Sequence, residues 1–127
     1  MIVLKLPVPI SVNAMYRNVA GIGRVKTGKY KAWVKLADQW LMTQKRGRVS
    51  GPCELEIRIP ASSRGDASNR IKICEDYLVS REITDDDRNN WRVSIWRDKS
   101  LTDHCVVTIR EADETRALAD AVASLEG

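Results

Sequence analysis

The chain reads as a single α+β domain with elements in the order βαβαββα and a mixed sheet whose helices pack mainly on one face. Three observations carry this reading. The run Cys53-Glu54-Leu55-Glu56-Ile57-Arg58-Ile59 alternates with period two, as a half-buried strand does. Trp33, Leu36, Ala37, Trp40 and Leu41 fall on one stripe at helical spacing. A length of 127 residues, 43% hydrophobic and 30% charged, suits one domain with its own core.

The elements follow in order. Ile2-Val3-Leu4-Lys5-Leu6 is a strand stopped by Pro7 and Pro9. Residues 10–27 hold Asn, Gly and Ser with scattered basic residues, and read as a long loop of the kind that is usually functional or mobile. Residues 29–45 form the first helix, broken by Gly47 and Gly51-Pro52. Its Trp33 and Trp40 are expected in the core. The strand from Cys53 ends at Pro60, and Ala61-Ser62-Ser63-Arg64-Gly65 is a turn-rich loop. Asp66 or Ser68 is placed to cap a second helix over 68–79. On it Ile71, Cys74 and Leu78 share one face, Asn69, Lys72 and Asp76 the nearly opposite one, with Ile73 and Tyr77 on the flank. Trp91–Trp96 is a third strand and His104–Arg110 a fourth. Asp98-Lys99-Ser100 between them is turn chemistry, so the pair reads as a hairpin. Residues 111–125 form a last helix with Ala117, Leu118, Ala121, Val122 and Leu125 as its apolar stripe.

Composition excludes several classes. No stretch reaches the roughly 18 apolar residues that span a bilayer. Met1-Ile2-Val3-Leu4-Lys5 has neither a basic segment nor a long apolar one, so no signal peptide and a cytoplasmic setting are expected. Cys53, Cys74 and Cys105 are widely spaced and accompany one histidine, His104, which disfavours structural zinc and a disulfide framework. Buried thiols are the expectation. The formal charge of +4 leans mildly toward nucleic acid. Its distribution leans further: Arg17, Arg24, Lys26, Lys29, Lys31 and Lys35 crowd one segment, and Lys45, Arg46 and Arg48 another.

Within this basic chain, carboxylates gather at Asp66 and at Asp85-Asp86-Asp87. Hydrolysis of a phosphodiester needs charge neutralised on the phosphate and a water made nucleophilic. Magnesium held by carboxylates does both. Lys72 stands about one turn into the helix, where it can neutralise transition-state charge. Each residue also has a plain structural reading. Asp66 can be a helix cap, Asp85 to Asn90 a solvated turn, and Lys72 with Asp76 a surface ion pair.

The run Asp66-Ala67-Ser68-Asn69-Arg70-Ile71-Lys72, then Glu75-Asp76-Tyr77-Leu78, then Asp86-Asp87, resembles the RusA family of Holliday-junction resolvases. That family carries D-x-D-N-x-x-K, a D-x-L on the helix, and a paired D-D. Leu6-Pro7-Val8-Pro9-Ile10-Ser11-Val12-Asn13 with Tyr16 and Arg17 resembles its opening P-x-P-x-S-x-N-x-x-Y, and Lys29-Tyr30-Lys31-Ala32-Trp33 its next basic-aromatic segment. The likeness runs over residues 3–110 of a single domain, with 111–127 as a helical extension. It implies a homodimeric, magnesium-dependent endonuclease (manganese as a substitute) that nicks four-way DNA junctions symmetrically. It further implies Asp66, Asp87, Asn69 and Lys72 as catalytic residues, and Asp66, Asp87, Asp86 and Ser68 as the metal positions. Two symmetric nicks need two sites about a two-fold axis, the commonest oligomer symmetry. Arg17, Arg24, Lys26, Lys29 and Lys31 are the expected phosphate contacts. Arg64, Arg70 and Arg88, which flank the acidic positions, complete the expected DNA-binding set.

The chain departs from the pattern at Ser68, where the family has its second aspartate. A neutral hydroxyl is a weaker ligand for a hard cation, although magnesium keeps several waters and needs few carboxylates. Asp76 or Asp85 is available to compensate. The alternative reading is a junction-binding protein of the same fold that cuts weakly or not at all. A third is an interaction module whose acidic run faces a partner.

Overall fold

The structure, a computed structural model, describes residues 1–126 as one α+β domain with a mixed sheet and three helices. The elements are β1 (Ile2–Pro7), β2 (Tyr16–Val19), β3 (Gly23–Lys26), α1 (Gly28–Leu41), β4 (Cys53–Pro60), α2 (Ile71–Ser80), β5 (Asn90–Asp98), β6 (His104–Glu111) and α3 (Glu114–Glu126). Short 3-10 turns occupy Val12–Ala14, Ala67–Arg70 and Asp87–Asn89. The order is therefore βββαβαββα, two strands richer than the sequence suggests.

The main sheet runs β1-β6-β4-β5. β4 and β5 are parallel, with α2 as their crossover, while β6 lies antiparallel to both β1 and β4. Its inner face is apolar from edge to edge. Leu4 stands opposite Val107, Val107 opposite Ile57, and Ile57 opposite Ile95. The outer row beside it reads Lys5, Val106, Arg58 and Trp96. Period-two side-chain alternation produces this division.

Helices α1 and α2 supply the other half of the core. Tyr30, Trp33, Ala37 and Leu41 are buried from α1, and Ile73, Cys74, Tyr77 and Leu78 from α2. Trp33 and Tyr77 meet edge to face with ring centroids 5.3 Å apart. The Trp33 indole N–H donates to the carbonyls of Pro7 and Val8 at 3.2 and 3.0 Å, tying α1 to the end of β1. All three cysteines are buried and free, as expected.

Several expectations are corrected. The segment 10–27 is not one loop: β2 and β3 form a two-stranded hairpin within it. Its turn needs Gly21 and Gly23, both at positive φ (78° and 95°). β5 and β6 are not a hairpin. The Asp98 turn forms, with the Ser100 amide donating to Asp98 Oδ1 at 2.8 Å, but the chain then passes β4 and pairs on its far edge. α1 ends at Leu41 rather than 45, and Leu36 is exposed while Tyr30 takes its place in the buried stripe. α2 begins at Ile71, after the 3-10 turn, and its flank residues Ile73 and Tyr77 are core while Ile71 is only half-buried. Glu111 ends β6 instead of opening the last helix. Leu118, Val122 and Leu125 of the α3 stripe are exposed, and the Ala117 side chain lies outside what the structure describes. Among the described residues no helix is long and apolar enough to cross a membrane.

Candidate functional site

The first turn of α2 faces the turn that precedes β5. There the Lys72 ammonium lies 2.9 Å from Asp76 Oδ1 and 3.5 Å from Asp87 Oδ2. Asp76 is its i+4 neighbour on α2, and Asp87 arrives from the chain returning into β5. One cation thus joins two carboxylates. The hydrogen bond to Asp76 is the main reason the Lys72 pKa is raised, and the charge of Asp87 adds to it. Lys72 and Asp87 are each about half exposed, so the group is open to a ligand.

The neighbouring acids have other work. Asp86 caps the 3-10 turn, accepting from the Arg88 amide at 3.1 Å. That bond, with a further one from Asp87, lowers its pKa. Asp85 accepts from the Gly51 amide at 2.7 Å and pairs with Arg48, and both lower its pKa, the amide more. These contacts tie it to the entry of β4. Glu75 accepts from Asn90 Nδ2 at 2.7 Å, and Asn90 in turn accepts from the Cys53 thiol at 3.1 Å.

Asp66 is exposed and its side chain makes no cap hydrogen bond, so the capping explanation for it fails. Only its carbonyl is engaged, accepting from the Asn69 amide at 3.2 Å. Among the described residues no side-chain contact joins Asp66, Ser68 or Asn69 to the Lys72 group. Their loop is instead held by two arginines. Arg97 donates to the carbonyls of Ala61, Ser63 and Gly65. Arg70 donates to the carbonyls of Arg64, at 2.6 Å, and of Pro9. Arg70 Nε is buried without a partner. Arg70 is thus occupied by the protein's own backbone, whereas Arg64 and Arg88 remain exposed. The sequence reading passed over Arg97. Its signal was strand parity: it shares an inward face with Val93 and Ile95, where an arginine needs a reason.

The expected basic residues of segment 17–31 fall on two adjoining elements. Arg17, Arg24 and Lys26 lie on the β2–β3 hairpin, and Lys29 and Lys31 on the first turn of α1, all exposed. Thr27 welds hairpin to helix. Its hydroxyl donates to the Ala14 carbonyl at 2.6 Å and accepts from the Tyr30 amide at 3.1 Å. The Val12–Ala14 turn that leads into the hairpin packs against α2, the helix of Lys72 and Asp76. Burial raises the Tyr30 pKa, and the charges of Asp76 and of Tyr16 raise it further while Lys72 opposes them.

The donor chemistry suits a hard divalent ion: carboxylate oxygens, with no thiolate or imidazole beside them. In number the set is sparse. Among the described residues no three His, Cys, Asp or Glu side chains gather in a way that could hold a metal ion. Magnesium commonly takes only one or two carboxylates and fills the rest with water and substrate phosphate. Asp76 and Asp87 are two carboxylates that share one ammonium.

No protein-family model matches the chain, and no curated protein matches it.

Proposed function

We propose that this protein is a metal-dependent, structure-selective endodeoxyribonuclease of the RusA kind, acting on four-way DNA junctions as a homodimer. The observation that carries the reading is the Lys72 ammonium between Asp76 and Asp87. A position that already attracts one cation between two carboxylates suits another. Asp87 and Asp76 would hold the ion, with Asp66 approaching from its loop. Asp76 thus joins the expected ligands, and Asp86 supports Asp87 through the turn it caps. A bound magnesium or manganese ion would offset phosphate charge and acidify a water.

The chain's own residues do the rest. Lys72, released from the carboxylates, can reach the phosphate and oppose charge that grows in the transition state. Asn69, three residues before Lys72, would add a neutral side chain. Exposed guanidinium and ammonium groups draw in the phosphate backbone and fix its register.

A second reading has its own observation. Ser68 supplies no charge, and Lys72 fills the place of the cation. Junction binding without cleavage would follow. Purified protein on a synthetic four-way junction, with magnesium or with EDTA and against linear duplex, separates the two. Paired, metal-dependent nicks confined to the junction support the nuclease. Tight binding without nicks leaves the binding protein, and no binding to either DNA defeats both.

A further inference from the structure

We infer that one face of the β2–β3 hairpin, carrying Arg24 and Lys26, is the track along which a nucleic-acid strand reaches Lys72, whereas Arg17 on the opposite face is not part of it. The inference rests on the nuclease reading and assigns its substrate surface. The hairpin register decides the division. Tyr16 stands opposite Lys26 and Asn18 opposite Arg24, so these four share one face. Arg17 stands opposite Val25, on the other.

The first face is a ladder of cations on rings. The Arg24 guanidinium lies 4.3 Å from the Tyr16 ring centroid, and the Lys26 ammonium 5.7 Å from that of Tyr30. Such contacts hold the long side chains in place while leaving their charge exposed, which lowers the ordering cost of binding. The Val12–Ala14 turn, to which Thr27 ties the base of the hairpin, packs against α2, so the ladder's lower end lies beside the helix that carries Lys72. The base of the hairpin is fixed by Thr27, and the Thr27 amide also donates to the Met15 carbonyl at 3.1 Å. A cationic ladder whose base lies beside the Lys72 helix matches a polyanion whose phosphate must arrive there. Two wholly independent basic patches would show no such continuity.

The test is fluorescence anisotropy of a labelled four-way junction in EDTA across a range of KCl, using Arg24→Gln, Lys26→Gln and Arg17→Gln. EDTA removes cleavage, so binding is read whether or not the protein is a nuclease. Each phosphate contact contributes about 0.9 to the slope of log affinity against log salt. Arg24→Gln and Lys26→Gln should each flatten that slope by about one contact and weaken binding roughly three- to tenfold. Arg17→Gln should leave both unchanged, and circular dichroism should be the same for all. Equal losses at Arg17 and Arg24, or none at Arg24 and Lys26, overturn the track. Intact binding by wild type with no nicking in magnesium would defeat the nuclease and leave the track standing.

Discussion

Lys72 and Asp87 meet at 3.5 Å although one stands on α2 and the other in the turn before β5. The contact links the crossover helix to the strand it delivers. Because Lys72 also holds Asp76, its raised pKa predicts a pH signature. A lysine whose folded pKa lies above its ordinary 10.5 contributes stability that is complete below 10.5 and lost as pH climbs through the folded value. Lys72→Met should cost less than about 1 kcal/mol at neutral pH, since half-exposed pairs are screened. Its deficit against wild type should vanish in strongly alkaline solution. Urea unfolding of both proteins from neutral to strongly alkaline pH reads this directly, and a gap that widens with pH would contradict it.

Asp66 offers a cleaner separation of structure from chemistry. A capping aspartate replaced by alanine typically costs about 1 kcal/mol. Asp66 makes no cap bond, so Asp66→Ala should leave the melting temperature unchanged while removing metal-dependent nicking. Ser68→Asp should act in the opposite direction, lowering the magnesium concentration needed for half-maximal cleavage. No change in that concentration would mean that position 68 does not face the ion.

Asp38 predicts an acid limb. It accepts from Arg81 Nε and Nη2 at 2.6 and 2.7 Å and from the Tyr77 hydroxyl at 2.8 Å. The Arg81 bond is the largest cause of its lowered pKa. Stability from such a group is complete above the ordinary value of 3.8 and lost as pH falls through the depressed one. Asp38→Asn should cost about 1 kcal/mol near neutrality, discounted for partial exposure. Wild type and variant should converge in strong acid, which thermal melts down to that range can check.

Arg97 should govern the loop that carries Asp66. Without its three carbonyl contacts, the Ala61 and Ser63 amides, bonded to Asp98 and Pro60 at 3.0 Å, should open more often. Arg97→Ala should raise their hydrogen-exchange rates on the order of tenfold while α1 amides stay protected. Uniform change across the domain would show that Arg97 serves only global stability.

Local signals were legible where local forces decide. β4 showed its alternation because apolar residues fill the core face while Glu54, Glu56 and Arg58 take the other, and Lys72 and Asp76 could be paired from their spacing alone. Long-range choices were not legible. Asp98-Lys99-Ser100 forms the turn its chemistry calls for, yet a turn does not choose a partner strand. β5 already holds one edge of β4 through the α2 crossover, so β6 takes the other. The β2–β3 hairpin was hidden because its strands are four residues each and bury little, although Val19-Ala20-Gly21-Ile22-Gly23 carries a glycine turn signal. The Asp66 arm of the site was visible as a motif, while its two arginine braces were not, because their partners are carbonyls that no side-chain pattern announces.

The pairing of β1 with β6 sets the order in which the molecule can be made. Ile2 stands opposite Ile109, so β1 finds its partner only after all the residues between them have been synthesised. Closing so long a loop is slow, and the β4-α2-β5 unit, local in sequence, has time to form first. Until β6 emerges, Leu4 and Leu6 have no sheet to cover them. Newly made chain is then exposed to aggregation at its N-terminal strand, and a fusion that delays release of the C-terminal residues would prolong that interval.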